Sequence, residues 1–274
     1  MDVFQAIILG IVQALTEFLP ISSSAHQRIV ASAFGWDDPG AAFTAITQLG
    51  TEAAVLIYFR HDLWQAATHW LRSLTNPELR SDPAAKLGWY IIIATIPIGL
   101  LGFKFQDQIE TGARNLYLIG TTLIVFGLIL GWIDARASQQ HEIDALDTRS
   151  GILIGLAQSL ALIPGVSRSG ATMSAGLFLG LTREAAARFS FLLAVPAVLA
   201  SGFFEVLKLA GGEAPGDASW WAIAIATGIS FVLGYAVIAW LLRYVTTHSL
   251  RAFVIYRVVL GAAVITLAGA GVLS

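Results

Sequence analysis

The chain contains no cysteine, which removes disulfides, thiolate metal sites and cysteine nucleophiles from consideration. Charge is also scarce. Asp, Glu, Lys and Arg make up 12% of 274 residues, where a soluble domain carries about a quarter. So little charge cannot cover a water-facing surface. With 56% hydrophobic residues and a mean hydropathy of +0.73, the composition points to a membrane protein. The net charge of −2 gives no reason to expect a nucleic-acid partner. The opening Met1-Asp2-Val3-Phe4 has no basic n-region, and no A-x-A-like site follows the first apolar run. It reads as mature protein rather than a signal peptide.

Six stretches have the length and apolarity of full spans: 42–59, 88–103, 116–133, 188–208, 219–242 and 253–273. The second is short and carries Pro97 and Gly99. Trp64, Trp70, Trp220 and Trp221 fall near the expected membrane surfaces, and His61, His69, His141 and His248 fall in expected loops. Two further segments, 3–34 and 151–181, are apolar at both ends and polar in the middle, broken at Pro20 and Pro164. Irregular backbone at membrane depth is tolerated only inside protein or beside a water-filled cavity. A re-entrant hairpin of two half-helices meets that condition.

The chain also resembles itself. Gly10-Ile11-Val12-Gln13-Ala14-Leu15 parallels Gly155-Leu156-Ala157-Gln158-Ser159-Leu160, and Trp89–Phe103 aligns with Trp221–Tyr235. Each half, 1–136 and 150–274, reads as one hairpin followed by three spans. A hairpin returns to its own side and three spans are an odd number, so the halves must be inverted relative to each other. The expectation is an all-α integral membrane fold, an inverted-topology repeat of about six transmembrane helices and two re-entrant hairpins whose loops meet near the midplane. With the N-terminus outside, ten basic residues fall in cytoplasmic loops. Only Lys104, Arg114 and Lys208 fall in outer ones, in keeping with the positive-inside rule.

Chemistry is expected in the two loops. Gln13 and Glu17 are four apart and share a helix face. Glu17 is an ionisable group in an apolar segment, suited to hold a divalent cation or to act as a base, with Gln13 as a neutral ligand beside it. Ser22, Ser23 and Ser24 follow the proline, able to cap the second half-helix and to leave a hydroxyl free for attack. His26 is a candidate general acid or base. The second loop, Pro164-Gly165-Val166-Ser167-Arg168-Ser169-Gly170-Ala171-Thr172, suits an anion. Gly165 and Gly170 let backbone N–H groups approach, a helix begins there, and Arg168 pairs with phosphate oxygens, with Ser167, Ser169 and Thr172 as further donors. Without substrate, Arg168 needs an anionic partner, and Glu17 can serve. Gln48 and Glu52 are also four apart, Glu52 facing the cavity or pairing with a basic residue. Arg257 reads as an ion-pair partner or a snorkelling side chain.

Gln13-Ala14-Leu15-Thr16-Glu17 and Pro164-Gly165-Val166-Ser167-Arg168-Ser169-Gly170-Ala171-Thr172, together with Phe18-Leu19-Pro20-Ile21-Ser22-Ser23 and His26, resemble the motifs of the undecaprenyl-diphosphate phosphatase family over essentially the whole chain. The resemblance implies removal of the terminal phosphate from undecaprenyl diphosphate, regenerating the lipid carrier for cell-wall precursors. It implies dependence on a divalent cation, magnesium first and calcium second. It also implies a multi-pass protein of the bacterial cell membrane, an active site facing the outer or periplasmic side, and pairing as a homodimer. It carries catalytic roles to Glu17, Ser23, His26 and Arg168. From the residues themselves, substrate contacts are expected from Ser22, Ser24, Gly165, Ser167, Ser169, Gly170, Thr172 and Gln48, and metal contacts from Glu17 and Gln13. Many members have glutamate where this chain has Gln13, which leaves Glu17 as the only carboxylate of the first motif. Ser23 is the candidate nucleophile, with Glu17 or His26 taking its proton. In a rival scheme Glu17 or His26 activates water and Ser23 only binds phosphate. The lipid tail is expected between spans. The competing reading is a lipid or anion transporter on the same inverted repeat. The acid-phosphatase-like lipid phosphatases fit poorly, since no Pro-Ser-Gly-His stretch is present.

Overall fold

A computed structural model describes residues 1–105, 115–210 and 219–273; Arg114, counted above among the outer residues, lies outside them. Regular structure among the described residues is helical, apart from an isolated bridge between His141 and Leu181. The first hairpin is α1 (Val3–Glu17) and α2 (Ser23–Ala33). Asp2 starts α1 with a capping box, its carboxylate accepting from Gln5 N at 2.8 Å while the Gln5 side chain accepts from Asp2 N at 3.0 Å. Next come α3 (Gly40–Tyr58), α4 (Arg60–Thr75), α5 (Pro83–Lys104) and α6 (Leu116–Asp134). The second hairpin is α7 (Thr148–Ser159), a 3₁₀ turn (Leu160–Leu162) and α8 (Arg168–Phe178). The chain ends with α9 (Arg183–Ala210), α10 (Trp220–Thr247) and α11 (Arg251–Gly269).

Five helices, α5, α6, α9, α10 and α11, are long and apolar enough to cross a membrane, and the pair α3–α4, bent by 79°, is a sixth candidate. Here the expectation needs correcting. Residues 60–75, read as loop, form a helix that carries His61 and His69. Charge hid it: Arg60, His61 and Asp62 open α4, so no apolar run marks it. Its inner face still packs, because Gly88 of α5 lets Ala66 and Trp70 approach closely.

Close contacts fix the directions of the elements that hold the hairpins. Gly10 of α1 lies against Ala226 of α10, and Phe18 lies against Gly234, so α1 and α10 run parallel. Gly155 of α7 lies against Ala94 of α5, and Gly151 against Tyr90, so α7 and α5 also run parallel. Gly50 of α3 meets Thr227, and the Tyr58 ring lies 5.3 Å from that of Tyr235, so α3 runs with α10. Chain continuity through the bend makes α5 run opposite to α3. The two hairpins therefore enter from opposite sides, each laying its first helix along a long helix of the other half. A Cβ at Gly10 or Gly155 would fall within 2.8 or 2.5 Å of the partner backbone. Glycine is what permits these close crossings. Aromatic side chains fill the centre, where Phe18 meets Phe191 edge-on at 5.2 Å and Phe59 meets the same ring at 6.3 Å.

Candidate active site

The two hairpin breaks meet. α1 ends at Glu17, and α2 starts after a turn in which Ser22 takes φ 76°. α8 starts after a turn in which Gly165 takes φ 90° and Ser167 takes φ 73°. Positive φ on serine costs about 1 kcal/mol or more and persists only where the surroundings enforce it. The Ser22 side chain makes no capping bond, contrary to the expected cap. Its hydroxyl lies 3.4 Å from that of Ser24, and its carbonyl is engaged by His26. Ser167 does cap, accepting from Gly170 N at 3.1 Å.

Glu17 is the hub. Its Oε1 accepts from Arg168 Nη2 at 2.7 Å, across 151 positions of sequence. Its Oε2 accepts from Ser23 Oγ at 2.5 Å, Gln13 Nε2 at 2.7 Å and Gln48 Nε2 at 3.3 Å. Behind it runs a chain of donors: Thr44 Oγ1 donates to Gln27 Oε1, Gln27 Nε2 donates to Gln13 Oε1, and Gln13 donates to Glu17. This network fixes the carboxylate and leaves Gln13 fully buried, with its oxygen already satisfied. Gln13, expected as a metal ligand, supports Glu17 from behind through its Nε2.

Glu17, Ser22, Ser23, Ser24, Gln48, Ser167 and Arg168 line the polar end of a cavity of about 530 Å³. Four expected substrate contacts turn inward. Ser169 donates to Leu19 O at 3.0 Å, tying the second loop to the first. Thr172 bonds the Arg168 carbonyl and the Ser190 hydroxyl. Gly165 lies against Thr122, and Gly170 packs on Arg257 and Ser167. Their phase on α8 and its turn points them at protein, and only Ser167 and Arg168 of that motif face the cavity.

His26 does not reach Ser23. Its Nδ1 lies 2.7 Å from Ser22 O, which can only accept, so Nδ1 carries the proton. Nε2 then accepts from the Tyr256 hydroxyl at 2.7 Å, and the two rings stack. Glu52 is buried off the cavity lining, and its Oε1 has no partner among the described residues. Neither role expected for it is seen.

Arg257 departs furthest from expectation, for it does not snorkel and pairs with no carboxylate among the described residues. It is 0% exposed, and its guanidinium donates to Pro20 O at 3.0 Å, Gly165 O at 2.9 Å and Val166 O at 3.0 Å, with longer bonds to Leu123 O and Thr122 O. One side chain thus fastens both hairpin turns. Its partners are backbone carbonyls, which leave no pattern of side chains to read. Only the oddity of an arginine within an apolar span pointed to it.

The donor set can be tested against a divalent cation. Among the described residues no three His, Cys, Asp or Glu side chains gather at ligand spacing. An all-protein metal cage is therefore not the fit. The cavity lining holds two carboxylates, Glu17 and, on α9, Glu205, which Lys208 engages at 3.5 Å. That set suits magnesium, which keeps waters and is usually held by one or two carboxylates plus substrate phosphates.

The family model described as Bacitracin resistance protein BacA matches residues 6–263. An undecaprenyl-diphosphatase 2 of Frankia casuarinae is 57% identical, the match covering 100% of this chain and 97% of the relative. The undecaprenyl-diphosphatase of Nocardioides sp. is 55% identical over 100% of this chain and 99% of its own length. That of Thermobifida fusca is 52% identical over 100% and 93%.

Proposed function

The chain belongs to the bacitracin resistance protein BacA family, and we infer from that membership and from the site that it is an undecaprenyl diphosphatase, a multi-pass membrane enzyme. It cleaves the terminal phosphate from undecaprenyl diphosphate, giving undecaprenyl phosphate and inorganic phosphate. One observation carries the mechanism: Glu17 holds Arg168 on one carboxylate oxygen and the Ser23 hydroxyl on the other.

The incoming diphosphate competes with Glu17 for Arg168, whose planar fork suits phosphate oxygens. The N-terminus of α8 adds oriented N–H groups on the same side. A divalent cation, magnesium by this donor set, would be held by Glu17 and would neutralise phosphate charge. With Arg168 drawn to substrate, the Ser23 Oγ–Glu17 Oε2 bond remains, a nucleophile in contact with its base. Ser23 Oγ forms a bond to the terminal phosphorus, its proton passes to Glu17, and the anhydride bond to the lipid phosphate breaks. Water then cleaves the phosphoserine, releasing phosphate, and Ser23 regains a proton. Of the two proton acceptors considered, geometry favours Glu17, since both His26 nitrogens are engaged elsewhere. His26 works through Ser22, holding the strained turn that aims Ser23. Positioned donors of this kind supply most of phosphoryl-transfer catalysis.

The cavity lies toward the ends of α5 and α9 on the side where the N-terminus enters, and the excess of basic residues is on the other. We therefore place the site on the outer, periplasmic side. Pairing of two chains rests on the family resemblance alone.

The test is phosphate release from a prenyl diphosphate by purified protein in detergent, with magnesium or with a chelator. We expect Ser23→Ala to lose at least a hundredfold in rate and a phosphoserine at position 23 to be trapped on acid quenching. Near-normal turnover by Ser23→Ala would leave water as the nucleophile.

A further inference from the structure

The cavity is too small for its substrate. Pockets of about 300–1,000 Å³ enclose a drug-sized ligand. A cavity of about 530 Å³ therefore admits the diphosphate and the first prenyl units and no more. The rest of a long polyprenyl chain must leave through a wall. Away from Glu17, that wall is built from the C-terminal halves of α5 and α9, with Leu162 beside them. Both helices carry a proline just before this stretch, Pro97 and Pro196, each removing one bond from the helical ladder. Small residues open the gap between larger apolar ones, and on the α9 side Ser201 and Glu205, the latter engaged by Lys208 at 3.5 Å, add polar groups to the lining. A Cβ at Gly99 would meet nothing within 4 Å, and one at Gly102 would meet only Leu162 at 3.7 Å. Ala200 stands on the α9 side, exposed, and Phe103 (83% exposed) and Phe204 flank the gap. A slot so lined, open at the surface of an apolar span and continuous with the polar end of the cavity, suits an apolar chain leaving for the bilayer.

We propose that the slot between α5 and α9 is the exit for the prenyl tail, and that Gly99 and Ala200 on its two walls set its width. The proposal rests on the reading of the site as a prenyl-diphosphate phosphatase. The tail gains little by moving from lipid into an apolar slot, since both are equally free of water. The slot therefore works by admitting the chain rather than by binding it. Bulk there penalises long tails and spares those contained in the cavity.

The experiment compares Gly99→Leu and Ala200→Leu with wild type on undecaprenyl diphosphate and on dimethylallyl diphosphate, whose single prenyl unit ends inside the cavity. In each variant kcat/KM for the long substrate is expected to fall at least tenfold more than for the short one. Equal losses on both substrates, or no loss on the long one, overturn the exit. Should Gly99→Leu fail to fold, Ala200→Leu carries the test from the opposite wall. If wild type releases phosphate from neither substrate, it is the phosphatase reading that fails, which the wild-type arm alone decides.

Discussion

Replacing Arg257 by methionine keeps much of the apolar volume and deletes the guanidinium. Five carbonyls then lose their donor, and three of them, on Pro20, Gly165 and Val166, lie at 3.0 Å or less. A floor comes from membrane proteins, where interhelical hydrogen bonds average about 0.6 kcal/mol, so five give about 3 kcal/mol. A ceiling comes from bonds to charged groups in soluble proteins, about 1.5–3 kcal/mol each for the three short ones. Single substitutions rarely exceed about 5 kcal/mol, so the expected loss is about 3–5 kcal/mol. Lysine should recover less than half of it. An ammonium is one point with three donors, and it cannot span Pro20 on one hairpin and Gly165–Val166 on the other as a planar fork does. Thermal or denaturant unfolding in detergent gives the stability, and phosphate release gives kcat/KM on the fraction still folded. If Arg257 only adds stability, folded Arg257→Lys turns over at the wild-type rate. If it sets the distance between the two turns, kcat falls at least tenfold while KM moves less. An Arg257→Met protein within about 1 kcal/mol of wild type would refute the fastening argument altogether, because it would mean that the five carbonyls find water or other donors at no cost.

Two further outcomes follow from geometry. Gly155→Ala places a Cβ 2.5 Å from the Ala94 backbone, where no flexible atom can yield, so α7 must shift off α5 and the protein should lose about 1–3 kcal/mol, read as a lower unfolding midpoint. Asp82, which starts α5, is held below the usual carboxylate range, first by the hydrogen bond from His69 at 2.9 Å. A lowered folded value means that its stabilisation is full above the unfolded value of about 3.9 and is lost as pH falls through the lower folded one. Asp82→Asn should therefore flatten the stability–pH curve between about pH 4 and the acid limit, and an unchanged slope there would remove Asp82 from the acid response.

The fold was readable where lipid leaves little choice. Proline and serines inside an apolar stretch admit few arrangements, so the breaks at Pro20 and Pro164 read as hairpins from the sequence. Parity then required opposite entry. What escaped was structure whose signal is amphipathic or main-chain. α4 opens on Arg60, His61 and Asp62 and buries only Ala66 and Ser73, so it reads as loop. Arg257 bonds carbonyls, which every residue has. The inward turn of Ser169 and Thr172 is a matter of helical phase, and phase depends on where α8 starts, a position set by the strained Ser167. Charge and chemistry were better guides. The Glu17–Arg168 pair was expected from the need of a buried arginine for an anion, and the structure gives it at 2.7 Å.

The two turns show how one loop geometry yields two jobs. Ser22 (φ 76°, ψ 100°) and Ser167 (φ 73°, ψ 116°) share a conformation, each pairs its hydroxyl with that of the serine two residues on, and each precedes a helix. Aligned residue for residue, 22 with 167, position 23 corresponds to 168 and position 17 to 162. The equivalent positions thus hold Ser23 and Arg168, the proposed attacking group and the proposed anion clamp, both bonded to Glu17. The position of Glu17 is taken in the other half by Leu162, which lines the apolar wall of the same cavity. Two related loops that carried identical residues would give a site with two clamps or two hydroxyls, and no difference between the end that reacts and the end that leads to lipid. On the proposed mechanism, divergence at these two pairs separates the reacting end of the site from its apolar end. Exchanging them singly should therefore destroy activity without disturbing the turns, whose shape depends on Ser22, Ser167 and the carbonyls that Arg257 holds.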